Sequence, residues 1–262
     1  MTGSLLYQRI WLVGASSGIG AALAKALDAP GRTLYLSARN AEAMEALAEK
    51  FQADSRVLPM DMTEPEQVQH ACERIAQEGG LDLVILNAGT CEYMDSADLD
   101  LALLRRVMET NFFAVTSLMK QSLDLLRQGK SGSEIAPKLV VVSSSVTYQA
   151  LPRAHAYGAS KAALRYFTEC LNADLQHEGI DVQVVSPGFV ETPLTDLNDF
   201  DMPAKISAEE AAQEIVKGLK SNRFDIHFPK RFTRSLKAFS CLPEGLRFKL
   251  LGKMSRHSEQ MH

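Results

Sequence analysis

The chain has few of the residues that staple small extracellular folds. Its four cysteines, Cys72, Cys91, Cys170 and Cys241, are far apart and form no C-x-x-C pair. That argues against a disulfide framework or a zinc site, and it suits a reducing compartment. Long apolar runs are missing too, none approaching the roughly 18 to 20 residues of a membrane span. No charged stretch with an apolar core precedes the first glycine turn, so no secretory leader is expected. Positive charge is not in excess; the formal net charge of −4 gives no general reason to expect nucleic acid as a partner. Internal repeats and low-complexity segments are likewise absent. These absences lead to the expectation of a soluble cytoplasmic protein without a metal site. With 262 residues and 46% hydrophobic content, the chain can bury a full core, and α/β folds of this length are commonly one domain.

What is present is a regular alternation. Apolar or β-branched runs occur at Ile10–Val13, Thr33–Leu36, Arg56–Leu58, Leu83–Leu86, Leu139–Val142, Val182–Val185 and Asp225–Phe228. Helical patterns lie between them at Gly18–Leu27, Ala41–Phe51, Glu64–Glu78, Leu99–Leu126, Tyr157–Gln176 and Ala208–Leu219. Continuous apolar runs are the mark of strands buried on both faces, so the sheet is expected to be parallel and covered on both sides. Right-handed crossovers then leave a doubly wound, Rossmann-type α/β sheet of about seven strands. Gln128–Pro137 has the composition of a surface connection. Residues 1–229 form the main unit, and 230–262 read as a C-terminal helical extension of the same domain.

In such a sheet, ligands lie beyond the C-terminal ends of the strands, and the candidate functional residues follow those ends. Val13-Gly14-Ala15-Ser16-Ser17-Gly18-Ile19-Gly20 turns the first strand into a helix and would bring backbone N–H groups to a dinucleotide pyrophosphate. Side chains at the glycines would hold the phosphates away. After strand two comes Ser37-Ala38-Arg39-Asn40, where an acidic residue would select NAD; Arg39 instead suits a 2′-phosphate, which points to NADP. Asp61 follows strand three, Asn87-Ala88-Gly89 strand four, Ser143-Ser144-Ser145 strand five and Pro187-Gly188 strand six. Tyr157 and Lys161, four apart, share one helix face. Lowering a phenol pKa from about 10 to about 7 takes roughly 4 kcal/mol. A lysine cation about 4 Å away supplies about that much at an effective dielectric near 20. Tyrosine and lysine at this spacing also occur on many helices with a solvated lysine, so the pair gains weight only from its companions.

Those companions carry a resemblance. Gly14-x-x-x-Gly18-x-Gly20, Asn87-Ala88-Gly89, Asn111, Ser144 thirteen residues before Tyr157, Tyr157-x-x-x-Lys161, and Pro187-Gly188 followed by Thr192 stand in one order. Over roughly residues 8 to 220 the chain resembles the short-chain dehydrogenase/reductase family. The resemblance implies that Tyr157 is the general acid or base and that Ser144 donates to the substrate oxygen. Lys161 would hold the nicotinamide ribose and lower the tyrosine pKa, while Asn111 would help position a water connected to Lys161. For the cofactor, Gly14, Ser16, Ser17, Gly18, Ile19 and Gly20 would take the phosphates, Asp61 and Met62 the adenine, and Asn87, Ala88 and Gly89 the neighbouring edge. Pro187, Gly188, Val190 and Thr192 would take the carboxamide end. Ser145 is the alternative to Ser144, and Ser143 is expected to face the core. Val13 replaces the usual threonine, removing a hydroxyl that braces the turn against Asn87. Thr147 stands where glycine is frequent.

The implied activity is NADP-dependent hydride transfer between nicotinamide and the carbonyl or alcohol of a small molecule: an aldehyde, ketone or 3-oxo compound. Tyr93, Met94, Tyr148, Leu151, Phe189 and Leu194 suggest an apolar pocket, with Thr192–Lys205 as a lid and His155 facing water. Alternatives are a non-catalytic NADP-binding redox sensor and a membrane-associated lipid carbonyl reductase. Leu164, Phe167, Leu171 and Leu175, beside Tyr166 and Cys170, suggest that the long helices pair in a homodimer or homotetramer. Residues 230 to 256 carry eight basic side chains and one acidic one, Glu244. Phe232, Leu236 and Phe239 repeat at helical spacing there, as do Leu246 and Leu250. This tail is read as a cap over the acidic body or a neighbouring subunit, with peripheral contact to an anionic membrane as the less favoured alternative.

Overall fold

A computed structural model describes residues 6–130, 135–197 and 202–254. Seven parallel strands form one sheet: β1 Arg9–Val13, β2 Thr33–Ser37, β3 Asp54–Val57, β4 Leu83–Leu86, β5 Lys138–Val142, β6 Asp181–Pro187 and β7 Asp225–Phe228, in the order β3-β2-β1-β4-β5-β6-β7. The direction of winding reverses between β1 and β4. Successive residues of a strand point to opposite faces, and the core divides accordingly. Leu12, Leu36, Ile85 and Val140 pack on one face under α1 (Gly18–Leu27), α2 (Ala41–Ala48) and α7 (Ala208–Leu219). Trp11, Tyr35, Val84 and Val141 pack on the other under α3 (Pro65–Gln77), α5 (Ala114–Lys130) and α6 (His155–Asp174). Edge strand β3 departs from the all-apolar reading. It starts at Asp54 rather than Arg56 and alternates exposed with half-buried residues, because one of its sides has no neighbour.

The stretch expected as one helix from Leu99 to Leu126 is interrupted. Asp100 caps α4 (Leu101–Met108), accepting from the N–H groups of Ala102 at 2.8 Å and Leu103 at 3.0 Å. A wide π turn, Glu109–Phe113, then precedes α5. The turn carries Asn111, whose side chain is wholly buried and bonded to the main chain of Thr90 through both its oxygen and its nitrogen, each at 2.8 Å. Periodicity alone does not register one extra residue in a ladder of hydrogen bonds. Helix α5 also runs on to Lys130, into the segment read as a surface connection, of which residues 131–134 lie outside the described residues. Pro187 ends β6 rather than following it.

Beyond β7 come α8 (Lys230–Ser240) and α9 (Glu244–Lys253), which differ in how they sit. Thr233 of α8 is fully buried and shares a 2.7 Å hydrogen bond with His227 Nδ1, and Phe232 lies against Phe189 with ring centroids 5.4 Å apart. Helix α9 has no buried residue and leaves Leu246 and Phe248 exposed, and Met254 just beyond its end is exposed too. Among the described residues no helix is long and apolar enough to cross a membrane.

Candidate active site

The strand ends at the β1/β4 reversal open into a cleft of about 700 Å³. Its floor is the glycine turn. Gly14 has φ of +85° and faces the backbone of Ala88, so that a Cβ there would lie 2.7 Å from the Ala88 nitrogen. At Gly20 a Cβ would come within 1.8 Å of the Gly14 carbonyl oxygen. These two glycines are therefore required first by the chain's own packing, and only then by the approach of a ligand. Asn87 Nδ2 donates to the Gly14 carbonyl at 3.0 Å. The turn is thus braced by Asn87 directly, despite Val13 in the place of threonine.

Helix α1 begins in this floor. Its N-cap, Ser17, makes no side-chain capping bond, and no acidic residue lies in the first turn. The first N–H groups of a helix carry a partial positive charge and need acceptors. A dinucleotide pyrophosphate fits that need. At the far end Arg39 lines the cleft with Ala38, Asn40, Asp61 and Met62. The Asp61 carboxylate is held below its ordinary pKa chiefly by the N–H of Thr63, against burial, with smaller help from the Thr63 hydroxyl and Arg39. The cation at Arg39 and the absence of a carboxylate at the end of β2 fit a 2′-phosphate.

At the other end stand Ser144, Tyr157 and Lys161, all lining the cleft. Ser144 opens a short turn after β5, its oxygen accepting from the N–H of Val146 at 3.2 Å, and it lines the cleft together with Tyr157. Ser143 points inward and donates to the Lys161 carbonyl at 3.1 Å. Lys161 is 4% exposed, with Nζ donating to the Val142 carbonyl at 3.0 Å. A Cβ on Gly89 would lie 3.0 Å from Asn111 Oδ1 and 3.2 Å from Lys161 Nζ, so this glycine makes room for the ammonium group.

Charge in this corner differs from the expected lysine-lowered phenol. Burial pushes the Tyr157 phenol above its ordinary pKa, the Cys91 thiol adds to the rise, and Ser144 acts the other way. Burial also pushes Lys161 down from 10.5 to about 8, against the opposing effect of Cys91. For each group burial, which disfavours the charged form, is the largest effect.

The remaining expected residues are placed as follows. Asn111 and Gly20 do not line the cleft; Asn111 lies behind Thr90 with both amide hydrogens engaged, one on the Thr90 carbonyl and one on Ser160 Oγ at 3.0 Å. Tyr148 is no pocket residue, because its hydroxyl is bonded to Asp225. Met94 packs in a small core with Val107 and Ala156, and Phe189 packs on Phe232. His155 is exposed. Of Thr192–Lys205, the first residues wall the cleft through Thr192, Pro193, Leu194 and Thr195, and 198–201 lie outside the described residues. Sequence reasoning missed the charged wall made by Glu92 and Arg106, whose side chains meet at 2.6 Å. Arg106 and Thr110, four apart just before Asn111, were the available signal.

Comparison with known proteins agrees with this fold. The sequence profile described as short chain dehydrogenase matches residues 8–201. The chain belongs to the short-chain dehydrogenase family. An uncharacterised oxidoreductase of Myxococcus xanthus is 30% identical over 244 residues, covering 92% of this chain and 94% of that protein. A short-chain dehydrogenase of Burkholderia cenocepacia, solved in complex with NADP, superposes with a TM-score of 0.79 at 23% identity, over 93% of this chain and 97% of that one. One from Burkholderia phymatum, solved with NAD, gives 0.78 at 20% identity, over 88% and 92%.

The buried lysine has a consequence for stability. Because its folded pKa of about 8 lies below the ordinary 10.5, the unfolded chain binds more protons between those values, and stability rises with pH across that window. Lys161→Met removes the burden, so at pH 7 the cofactor-free variant is expected to be more stable than the native chain, by up to about 3 kcal/mol. The difference should shrink as pH is raised from 8 to 10.5. Denaturant titrations of both proteins at pH 7, 9 and 10 check this. A native chain that gains nothing relative to the variant would mean that Lys161 is not buried as described.

Proposed function

We propose that the protein is an NADP-dependent oxidoreductase that reduces the carbonyl group of a small, largely apolar molecule. The observation that carries this reading is that Ser144, Tyr157 and the buried Lys161 share one lining of the cleft. The nicotinamide, when bound, supplies the hydride. Ser144 donates a hydrogen bond to the carbonyl oxygen, and Tyr157 gives that oxygen its proton as charge develops there. Burial keeps the phenol protonated at neutral pH, which supports the reductive direction. Lys161 holds the ribose hydroxyls and restores positive charge to the corner. Asn111 acts from behind, fixing the Thr90 main chain on which the wall rests.

The preference for NADP is supported by Arg39 and by the family member from Burkholderia cenocepacia, although the Burkholderia phymatum structure contains NAD. The apolar character of the substrate rests on Leu194 and its neighbours at the mouth. A non-catalytic redox sensor would have no need of Ser144, Tyr157 and Lys161 together. A membrane-associated lipid reductase would share the chemistry and dock through α9, and salt-sensitive binding to anionic vesicles separates the two.

Association is part of the proposal. Leu164 and Leu175 face the core, but Phe113, Tyr166 and Phe167 are 54%, 72% and 38% exposed on adjoining surfaces of the π turn and α6. We assign them to an interface between copies of the chain. Light scattering at micromolar concentration should give at least a dimer, and Tyr166→Glu should shift it toward monomer. A native monomer overturns this assignment.

Two substitutions test the chemistry. Tyr157→Phe keeps the ring and removes the proton, so turnover of NADPH with any accepted carbonyl should fall by about a thousandfold or more, with NADPH still bound. Retained turnover removes Tyr157 from the role. Arg39→Asp replaces a charge-assisted contact of roughly 1.5 to 3 kcal/mol by repulsion. The ratio of NADPH to NADH affinity should therefore fall by about ten- to a hundredfold or more, and an unchanged ratio would place the reading of the 2′-phosphate elsewhere.

A further inference from the structure

Behind the catalytic serine lies a polar cluster that the proposed chemistry does not use. Asp225, at the start of β7, has a side chain only 16% exposed, yet it collects groups from four other segments. Tyr148 donates its hydroxyl across both carboxylate oxygens at 2.7 and 2.9 Å, Ser186 Oγ donates at 2.9 Å and Lys237 Nζ at 3.0 Å. Arg165 Nη1 stands 3.4 Å away. Lys237 also lies over the Tyr148 ring, 4.4 Å from its centroid, with Arg165 5.4 Å from it. Burial pushes the Asp225 pKa up, but these bonds and charges outweigh it and keep the carboxylate ionised.

Each partner belongs to a segment of the active site or to the tail. Tyr148 closes the turn that opens at Ser144, its N–H bonded to the Ser145 carbonyl at 3.0 Å. Arg165 stands one helical turn beyond Lys161 on α6, and Ser186 immediately precedes Pro187-Gly188. Lys237 comes from α8, which lies beyond the matched residues 8–201. The same helix touches the cleft loop at a second point: a Cβ on Gly188 would be 2.9 Å from Phe232.

We infer that α8 is a positioning element of the reaction, its Lys237 holding Asp225 and Tyr148 and through them the turn that presents Ser144. The inference rests on the function proposed above. Asp225 gathers two cations and two hydroxyls; without Lys237 it keeps only Arg165 as a counter-charge, and Tyr148 loses the cation over its ring. A serine turn released by a fraction of an ångström loses alignment with the carbonyl oxygen, where small displacements have large effects on rate.

The test compares Lys237→Met, Lys237→Arg and Tyr148→Phe in the full chain. Lys237→Met should lower kcat by about ten- to a hundredfold while the Kd for NADPH, measured by fluorescence, changes less than twofold. Tyr148→Phe, which keeps the ring, should behave alike, and Lys237→Arg should recover most of the rate. In parallel, amide hydrogen exchange at 145–149 should quicken in Lys237→Met with that of β1 and β4 unchanged. Unaltered kcat in Lys237→Met, or unaltered exchange at 145–149, overturns the inference. If the native protein turns over no carbonyl compound, the functional reading fails and exchange alone decides whether α8 holds the serine turn.

Discussion

Everything at the cleft depends on how closely the end of β1 approaches the end of β4. Parallel pairing brings Val13 level with Leu86, and the residues that follow each strand then meet: Gly14 against Ala88, with Asn87 bonded back to the Gly14 carbonyl. No side chain fits at Gly14 or Gly20 without moving main chain. Because the winding reverses at this seam, the crossovers leave in opposite directions and the crevice between them stays open. The seam thus fixes where the N-terminus of α1 points, and on its other side Gly89 leaves the space that Lys161 Nζ fills.

The second organising feature is the burial of Lys161. Lys161 is buried with the Val142 carbonyl as acceptor, and Tyr157 is raised by burial rather than lowered by its neighbour. Both groups are disfavoured in their charged forms in the corner as it stands. In the proposed complex the ribose hydroxyls would accept from the Lys161 ammonium.

Much of this was legible in the residues. Continuous apolar runs at Leu83–Leu86 and Leu139–Val142 could only be central strands, and the glycine pattern after Val13 located the crevice. The segments that escaped are those where a tertiary bond overrides periodicity. Asn111 reaches Thr90 from a π turn that a 3.6-residue pattern does not reveal. Tyr148 looks like a pocket aromatic from its position near Ser144, but Asp225, 77 residues away in the chain, turns it aside. Edge strand β3, with Asp54 and Arg56 turned to solvent, lacked the apolar run that marked its neighbours. The Tyr157–Lys161 spacing was visible, whereas its charge balance depended on burial.

The central claim is that hydride passes from a nicotinamide in this cleft to a carbonyl carbon, with Tyr157 supplying the proton. Its most direct measurement is the fate of deuterium from NADPH labelled at the transferable C4 position, followed by mass spectrometry across aldehydes and ketones of graded chain length and ring size. The account predicts one deuterium on the carbinol carbon of the alcohol product, formed in step with NADPH consumption. Consumption of NADPH without deuterium in any product, or no consumption with any carbonyl while the cofactor is bound, would contradict it.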